Sequence, residues 1–268
     1  MKELNFDIDK LLVESAEYYH SQAVENLSSH QVMDFIKCPL IYHHKKIGKI
    51  QDKDTAAYLF GRAVHARVLE GKEGFHDQFE LGWPVNPDTN KAYGARTKLV
   101  QDWKAGLNKP AISPSDADEI EAIAKGVSRN EFAVELLSNG YAERVARTFY
   151  EGIPCQIRMD WINPLRGIVD LKTTNDIDKF PYDAKKYGYH HQAVFYLKVM
   201  YVITGKVLPF FVIAVEKSEP YRCGVWEFSK ATLTTAEKQV NKAIRRIKEC
   251  QEVGFWPTGY EQLRILDF

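Results

Sequence analysis

At 268 residues, 45% hydrophobic and 27% charged, the chain has the makeup of one large globular domain or two small ones, and not of a disordered or fibrous protein. Its 36 basic residues balance its 36 acidic ones, which speaks against coating nucleic acid through bulk charge, although a confined groove needs no basic whole. Cys38, Cys155, Cys223 and Cys250 stand far apart with no C-x-x-C pair, against a disulfide framework or a zinc site.

The opening MKELNFDIDK is charged from the start, unlike a secretory signal, and no apolar run approaches the ~20 residues of a membrane span. A cytosolic protein without membrane contact is the expectation. Residues 1–27 read as a polar, acidic, loosely packed arm with one short helix around Ile8–Tyr19, and 28–268 as a single domain. Ser28-Ser29 can cap a helix starting near His30, burying Val32, Phe35 and Ile36 and ending at Cys38-Pro39. In the LIYHHKKIGK that follows, His43, His44, Lys45 and Lys46 suit either DNA phosphate or an ordinary solvated surface.

TAAYLFGRAVHARVLEGKEGF predicts a helix over about Thr55–Glu70, with Gly61, His65, Val68 and Leu69 on one face. A histidine there is either a satisfied core group or a metal ligand. Arg62 adjoins this face and is a candidate for DNA phosphate. Glu70, a turn further on, is a nearby acid or a solvated helix end. Residues 71–112, rich in Gly, Pro and Asn with two basic clusters, Trp83 and Trp103, read as a surface connection or a lid. An acidic helix from Ser113 or Ser115 through about Ser138 turns Ile120, Ile123 and Val127 inward.

Next come three strands: about Glu143–Tyr150, Ile153–Ile162 and Gly167–Lys172, with turns at Glu151-Gly152 and Asn163-Pro164. In the second, Cys155, Ile157, Met159 and Trp161 alternate against Gln156, Arg158 and Asp160. In the third, Asp170 and Lys172 share one face, Val169 and Leu171 the other. A turn centred on Leu165 sets Asp160 opposite Asp170. Like charges facing each other destabilise a sheet, so a bound hard cation such as Mg²⁺ is the natural reason for the pair. Lys172 then places an ammonium beside that ion. The alternative is an ordinary hairpin in which Asp160 pairs with Arg158 or Lys172.

A helix over about Tyr187–Thr204 puts Tyr189, Gln192 and Tyr196 on one face, with Val194, Leu197 and Tyr201 toward the core. Leu208–Lys217 and Tyr221–Phe228 are two further strands, the first buried on both faces. Thr234 with Glu237 resembles a capping box opening a basic helix to about Val253. FWPTGYEQLRILDF, whose aromatics could dock another subunit, closes the sequence.

Asp160 followed by GIVDLKTT resembles the PD-(D/E)xK nuclease signature in its RecB-like form, with two departures: the second acid is Asp, and Met159 rather than Pro precedes Asp160. Within that superfamily the chain is similar to the RecE-like (exonuclease VIII-type) phage exonucleases over about Ser28–Pro257. Four short motifs carry the likeness: the entry segment SSHQVMDFIKCPLIYHHKK, the G-x-x-x-H ending at His65, the hairpin, and the Q-x-x-x-Y of Gln192 and Tyr196. The resemblance implies an α/β fold, a central mixed β-sheet flanked by α-helices. It implies a Mg²⁺-dependent exodeoxyribonuclease acting on double-stranded DNA ends, with His65, Asp160, Asp170 and the Leu171 carbonyl at the metal. Histidine among the ligands suits Mn²⁺ as well. Lys172, Gln192 and Tyr196 would serve catalysis, and Tyr189, Arg62, Lys45 and Lys46 the DNA. Some relatives hold an iron–sulfur cluster with a cysteine at the position of Cys38 and a C-terminal cysteine triplet. No triplet exists here, so no cluster is expected. The resemblance further implies 5′→3′ polarity, a ring-shaped homo-oligomer, a single-strand annealing partner and a bacterial host cytosol. A structure- or site-specific endonuclease on the same core, and a catalytically silent DNA-end-binding protein, are the rival readings.

Overall fold

The computed structural model describes residues 6–51 and 55–266. Its frame is a six-stranded mixed sheet whose spatial order follows the chain: β1 (Leu12–Val13), β2 (Tyr141–Tyr150), β3 (Ile153–Asn163), β4 (Gly167–Thr174), β5 (Phe210–Glu216) and β6 (Cys223–Glu227). All neighbours are antiparallel except β4 and β5, which run parallel. Antiparallel neighbours need only tight turns, whereas a parallel pair needs a crossover. Glu151 and Gly152 both take positive φ between β2 and β3, the primed geometry that matches strand twist.

Between β3 and β4, Asn163 Oδ1 accepts from the Leu165 and Arg166 amides at 2.9 and 3.1 Å. Its Nδ2 donates to the Leu136 and Ser138 carbonyls. The turn is thereby tied to the helices beneath it. Gly167, at φ +125°, closes it where a Cβ would lie 2.4 Å from the Pro209 carbonyl oxygen, so no other residue fits without moving β5.

Helices cover both faces. On one, α2 (Ser29–Lys37), α10 (Tyr189–Thr204) and α11 (Lys230–Val253) enclose a core with Phe35, Ile157, Met159, Ile162, Phe195, Met200 and Ile244. On the other, α4 (Ala56–Leu69), α7 (Pro114–Ser128) and α8 (Glu131–Leu137) cover Val169, Leu171, Ile213 and Val215. The remaining helices are α1 (Ala16–Ser21), α3 (Pro39–Lys46), α5 (Gly71–Gln78), α6 (Lys98–Ala105) and α9 (Phe180–Lys186). This is the expected mixed sheet flanked by helices.

Several expectations need correction. Residues 6–27 are no loose arm. Leu12 and Val13 pair with Val145 and Arg144 as the edge strand, while Leu11, Tyr19 and Leu27 are buried. Glu14 grips Arg147 through two short bonds of 2.5 and 2.7 Å. A two-residue strand is too short to show a period, and the polar residues around it mask the anchors.

Residues 71–112 are more than a connection. Trp83, Val100 and Ala111 form a satellite core with Tyr93, Trp103 and Leu107, and the Lys104 ammonium sits 4.5 Å over the Trp83 ring. The single acidic helix is two, because Asn130 stops α7 and caps α8, accepting from the Ala133 amide at 3.0 Å. The capping box belongs to α2, built by Ser28 and Gln31. Thr234 instead bonds back to the Lys230 carbonyl within α11, which Ser229 already caps. Ile36 and Tyr201 are exposed, not core.

Candidate active site

The site lies where β3 and β4 part. Their paired register, Trp161↔Val169, Ile162↔Ile168 and Asn163↔Gly167, is centred on Leu165 as expected and, continued, sets Asp160 opposite Asp170. Pairing stops one step short of them. The Asp160 carboxylate takes the place of a backbone acceptor, its Oδ2 receiving the Leu171 N–H at 2.8 Å. Side-chain alternation also changes here: Met159 packs in the core under α10, Trp161 in the one under α4. The expectation of Trp161 on the face of Met159 is therefore wrong. The strand facing this point is distorted, with Glu143 at φ +53° inside β2, so regular period-2 alternation does not survive it.

Each helical layer delivers one side of the site. From α4, His65 Nδ1 comes 3.6 Å from Asp160 Oδ2, while neighbouring Ala63, Val64, Ala66 and Leu69 are buried and fix the helix. From α10, Gln192 Nε2 donates to Asp170 Oδ1 at 2.9 Å, and Tyr196 Oη donates to the Arg158 carbonyl at 2.8 Å. Tyr189, on the same face, sets its ring 5.0 Å beneath the Lys172 ammonium. Lys172 Nζ stands 2.7 Å from Asp170 Oδ2. One stripe of α10 thus touches Lys172, Asp170 and the backbone of β3.

Among the described residues, the cluster whose ligand atoms all lie within 4.8 Å of one another is His65, Glu143 and Asp160. Asp170 stands beside it, held by Lys172 and Gln192. In the sequence Glu143 stands only at the start of a strand. No motif marks it, and the sequence signal was its place opposite Asp160 across the β2–β3 turn.

The DNA-facing candidates divide. Lys45 pairs with Asp34 at 3.0 Å and Lys46 donates to the Ala23 carbonyl, so both are tied into the fold. Arg62 is exposed on α4, and after burial and Arg158 its charge helps to lower the pKa of the His20 imidazole.

Electrostatics at the centre are those of crowded carboxylates. Burial, reinforced by Asp160 and opposed by Lys172, pushes Asp170 up to about 6. Burial, then Asp160 and Glu70, raise Glu143 to about 7 against the pull of Arg158. Burial works against the charge on Lys172, yet Asp170 and Asp160 outweigh it and drive its pKa up. Burial holds the His65 imidazole down and therefore neutral, the form that can ligate a metal. Two buried oxygens, Glu143 Oε2 and Asp170 Oδ2, are each held by one cation, Arg158 and Lys172 respectively, at 2.7 Å. Buried carboxylates crowded beside one neutral imidazole make a donor set that fits a hard or borderline divalent cation.

The raised Glu143 carboxyl has a thermodynamic consequence. Folded, it keeps a proton that the unfolded chain gives up, from about its ordinary 4.5 to about 7. Stability from that proton is present at low pH and lost as pH rises through 7. Without metal, Glu143→Gln should gain stability relative to wild type between about pH 5 and pH 8, by on the order of 2 kcal/mol. Chemical denaturation of both proteins in EDTA at the two pH values checks this, since the histidine contributions cancel in the difference.

A crystal structure from Eubacterium rectale, described as an exonuclease candidate, superposes with a TM-score of 0.69 at 20% identity, covering 96% of each chain. A structure of SSO0001 covers 84% of this chain and 86% of that one at 9% identity, but its TM-score of 0.30 carries no weight. No curated protein matches. Residues 28–267 match the PDDEXK-like domain of unknown function DUF3799, and the chain belongs to that family.

Proposed function

We propose that the protein is a divalent-metal-dependent exodeoxyribonuclease acting on the ends of double-stranded DNA. The observation that carries this is the convergence of Asp160, Asp170, Lys172, His65 and Gln192 from two strands and two opposed helices. In this reading His65, Asp160, Asp170 and the Leu171 carbonyl hold Mg²⁺ or Mn²⁺. When bound, such an ion lowers the pKa of a water and neutralises charge on the phosphate and leaving oxygen.

The chain's own groups do the rest. Lys172, kept protonated by Asp170 and Asp160, orients the attacking water and steadies the developing negative charge. Gln192 fixes the rotamer of Asp170, and Tyr196 anchors the strand leading to Asp160. Tyr189 braces the lysine from below. Arg62, exposed on α4, is the residue this reading gives to DNA phosphate, while Lys45 and Lys46 hold the entry helices through Asp34 and the Ala23 carbonyl. The 5′→3′ polarity, ring-shaped oligomer and single-strand annealing partner rest on the likeness to RecE-like exonucleases. So does a place in the bacterial cytosol; no helix among the described residues is long and apolar enough to cross a membrane.

Linear double-stranded DNA labelled at either end, beside a closed circle, tests the reading. Wild type should consume only the linear DNA in Mg²⁺, not in EDTA, and Asp170→Ala should be inactive. The order of label release gives polarity. Cut circles would make it an endonuclease, and inertness in both Mg²⁺ and Mn²⁺ would leave a DNA-end-binding protein.

A further inference from the structure

Glu143 combines features that no strand residue needs for packing. Among the described residues it is the one non-glycine inside a strand with positive φ, at +53°; the other such residues lie in turns and loops. A glutamate gains nothing from that conformation, which persists only where the surroundings impose it. Its carboxylate lies in the cluster with His65 and Asp160, all within 4.8 Å. Its Oε2 is buried, 2.7 Å from Arg158 Nε.

Size decides whether such a group could share an ion. Octahedral ligands at ~2.1 Å from a cation are ~3.0 Å apart when adjacent and ~4.2 Å when opposite. The His65–Asp160 approach of 3.6 Å falls in that range, and all three ligand atoms lie within 4.8 Å of one another, close to its upper end.

We infer that Glu143 is a ligand of the divalent ion, exchanging Arg158 for the metal, and that Arg158 is thereby released to contact DNA phosphate. The inference rests on the metal-dependent reading above and adds a carboxylate absent from the D…D-x-K pattern. Arg158 suits the second role. Its backbone carbonyl is pinned by Tyr196, while its guanidinium, 5.4 Å from the Tyr19 ring, remains partly open to solvent. A planar fork against a flat ring keeps its orientation when its carboxylate partner leaves.

Mn²⁺ binding by the full chain without DNA, followed by calorimetry or by loss of the free-ion EPR signal, separates the outcomes. Glu143→Gln should weaken Mn²⁺ at least ~10-fold. Arg158→Gln should bind Mn²⁺ as tightly as wild type or more so, because it removes the competitor for Glu143. If Glu143→Gln binds like wild type, or Arg158→Gln weakens binding as much as Glu143→Gln does, the exchange is wrong. Asp160→Asn serves as the reference. If it too binds like wild type, the metal centre itself fails; if it alone loses the ion, only the role of Glu143 fails. Should Glu143→Gln not fold, Glu143→Asp keeps the charge on a shorter arm and should bind Mn²⁺ more weakly than wild type; equal binding would overturn the inference.

Discussion

Asp160→Asn is expected to lower DNA hydrolysis by more than ~10³-fold, equivalent to ~4 kcal/mol of transition-state stabilisation, while the protein stays folded. Asparagine keeps an oxygen that can accept the Leu171 N–H, so the parting of β3 and β4 survives. What disappears is the charge that His65 and Glu143 surround. Because Asp160 helps to raise both Glu143 and Asp170, its neutralisation also relieves the crowding. The variant should thus melt no lower than wild type in EDTA and gain less from added Mn²⁺. Steady-state hydrolysis of end-labelled DNA and melting with and without Mn²⁺ check both halves. Activity within tenfold of wild type would show that the ion is held elsewhere.

Phe195→Ala should cost about 3–5 kcal/mol of folding stability. Phe195 is fully buried at the centre of α10, among the largest side chains in the core. That loss is a large share of the ~5–15 kcal/mol that holds a typical domain together. Its effect on activity should exceed its effect on the folded fraction, since Gln192 and Tyr196 flank it on the same helix and depend on its seating. Urea denaturation in EDTA should show a lower midpoint with an unchanged slope. A loss under ~1 kcal/mol would mean that this part of the core relaxes around the cavity.

Much of this was legible because the informative residues announce themselves by period or by turn chemistry. Asn163 and Gly167 specify a turn of one geometry, and the turn fixes the register that brings Asp160 toward Asp170. The helical spacing of Tyr189, Gln192 and Tyr196 was enough to put all three on the face that meets the site. Glu143 was legible only by its place opposite Asp160 across the β2–β3 turn, since the left-handed backbone angle it takes is encoded by no local pattern. Trp161 misled for the same reason: alternation holds only while strands stay regular. The edge strand at Leu12–Val13 was hidden by brevity, and the satellite core around Trp83 by turn residues that suggested a loop.

The two-sided construction of the site bears on how the protein is made. His65 belongs to a helix over one face of the sheet and Gln192 to a helix over the other, and the ribosome delivers the first long before the second. A chain emerging N-terminus first carries neither a fixed Asp170 nor an anchored strand before Asp160 until α10 has crossed back to let β5 join β4. The site as described is therefore complete only once both layers have closed. On the proposed reading, an unfinished or partly unfolded copy has no assembled site with which to cut DNA.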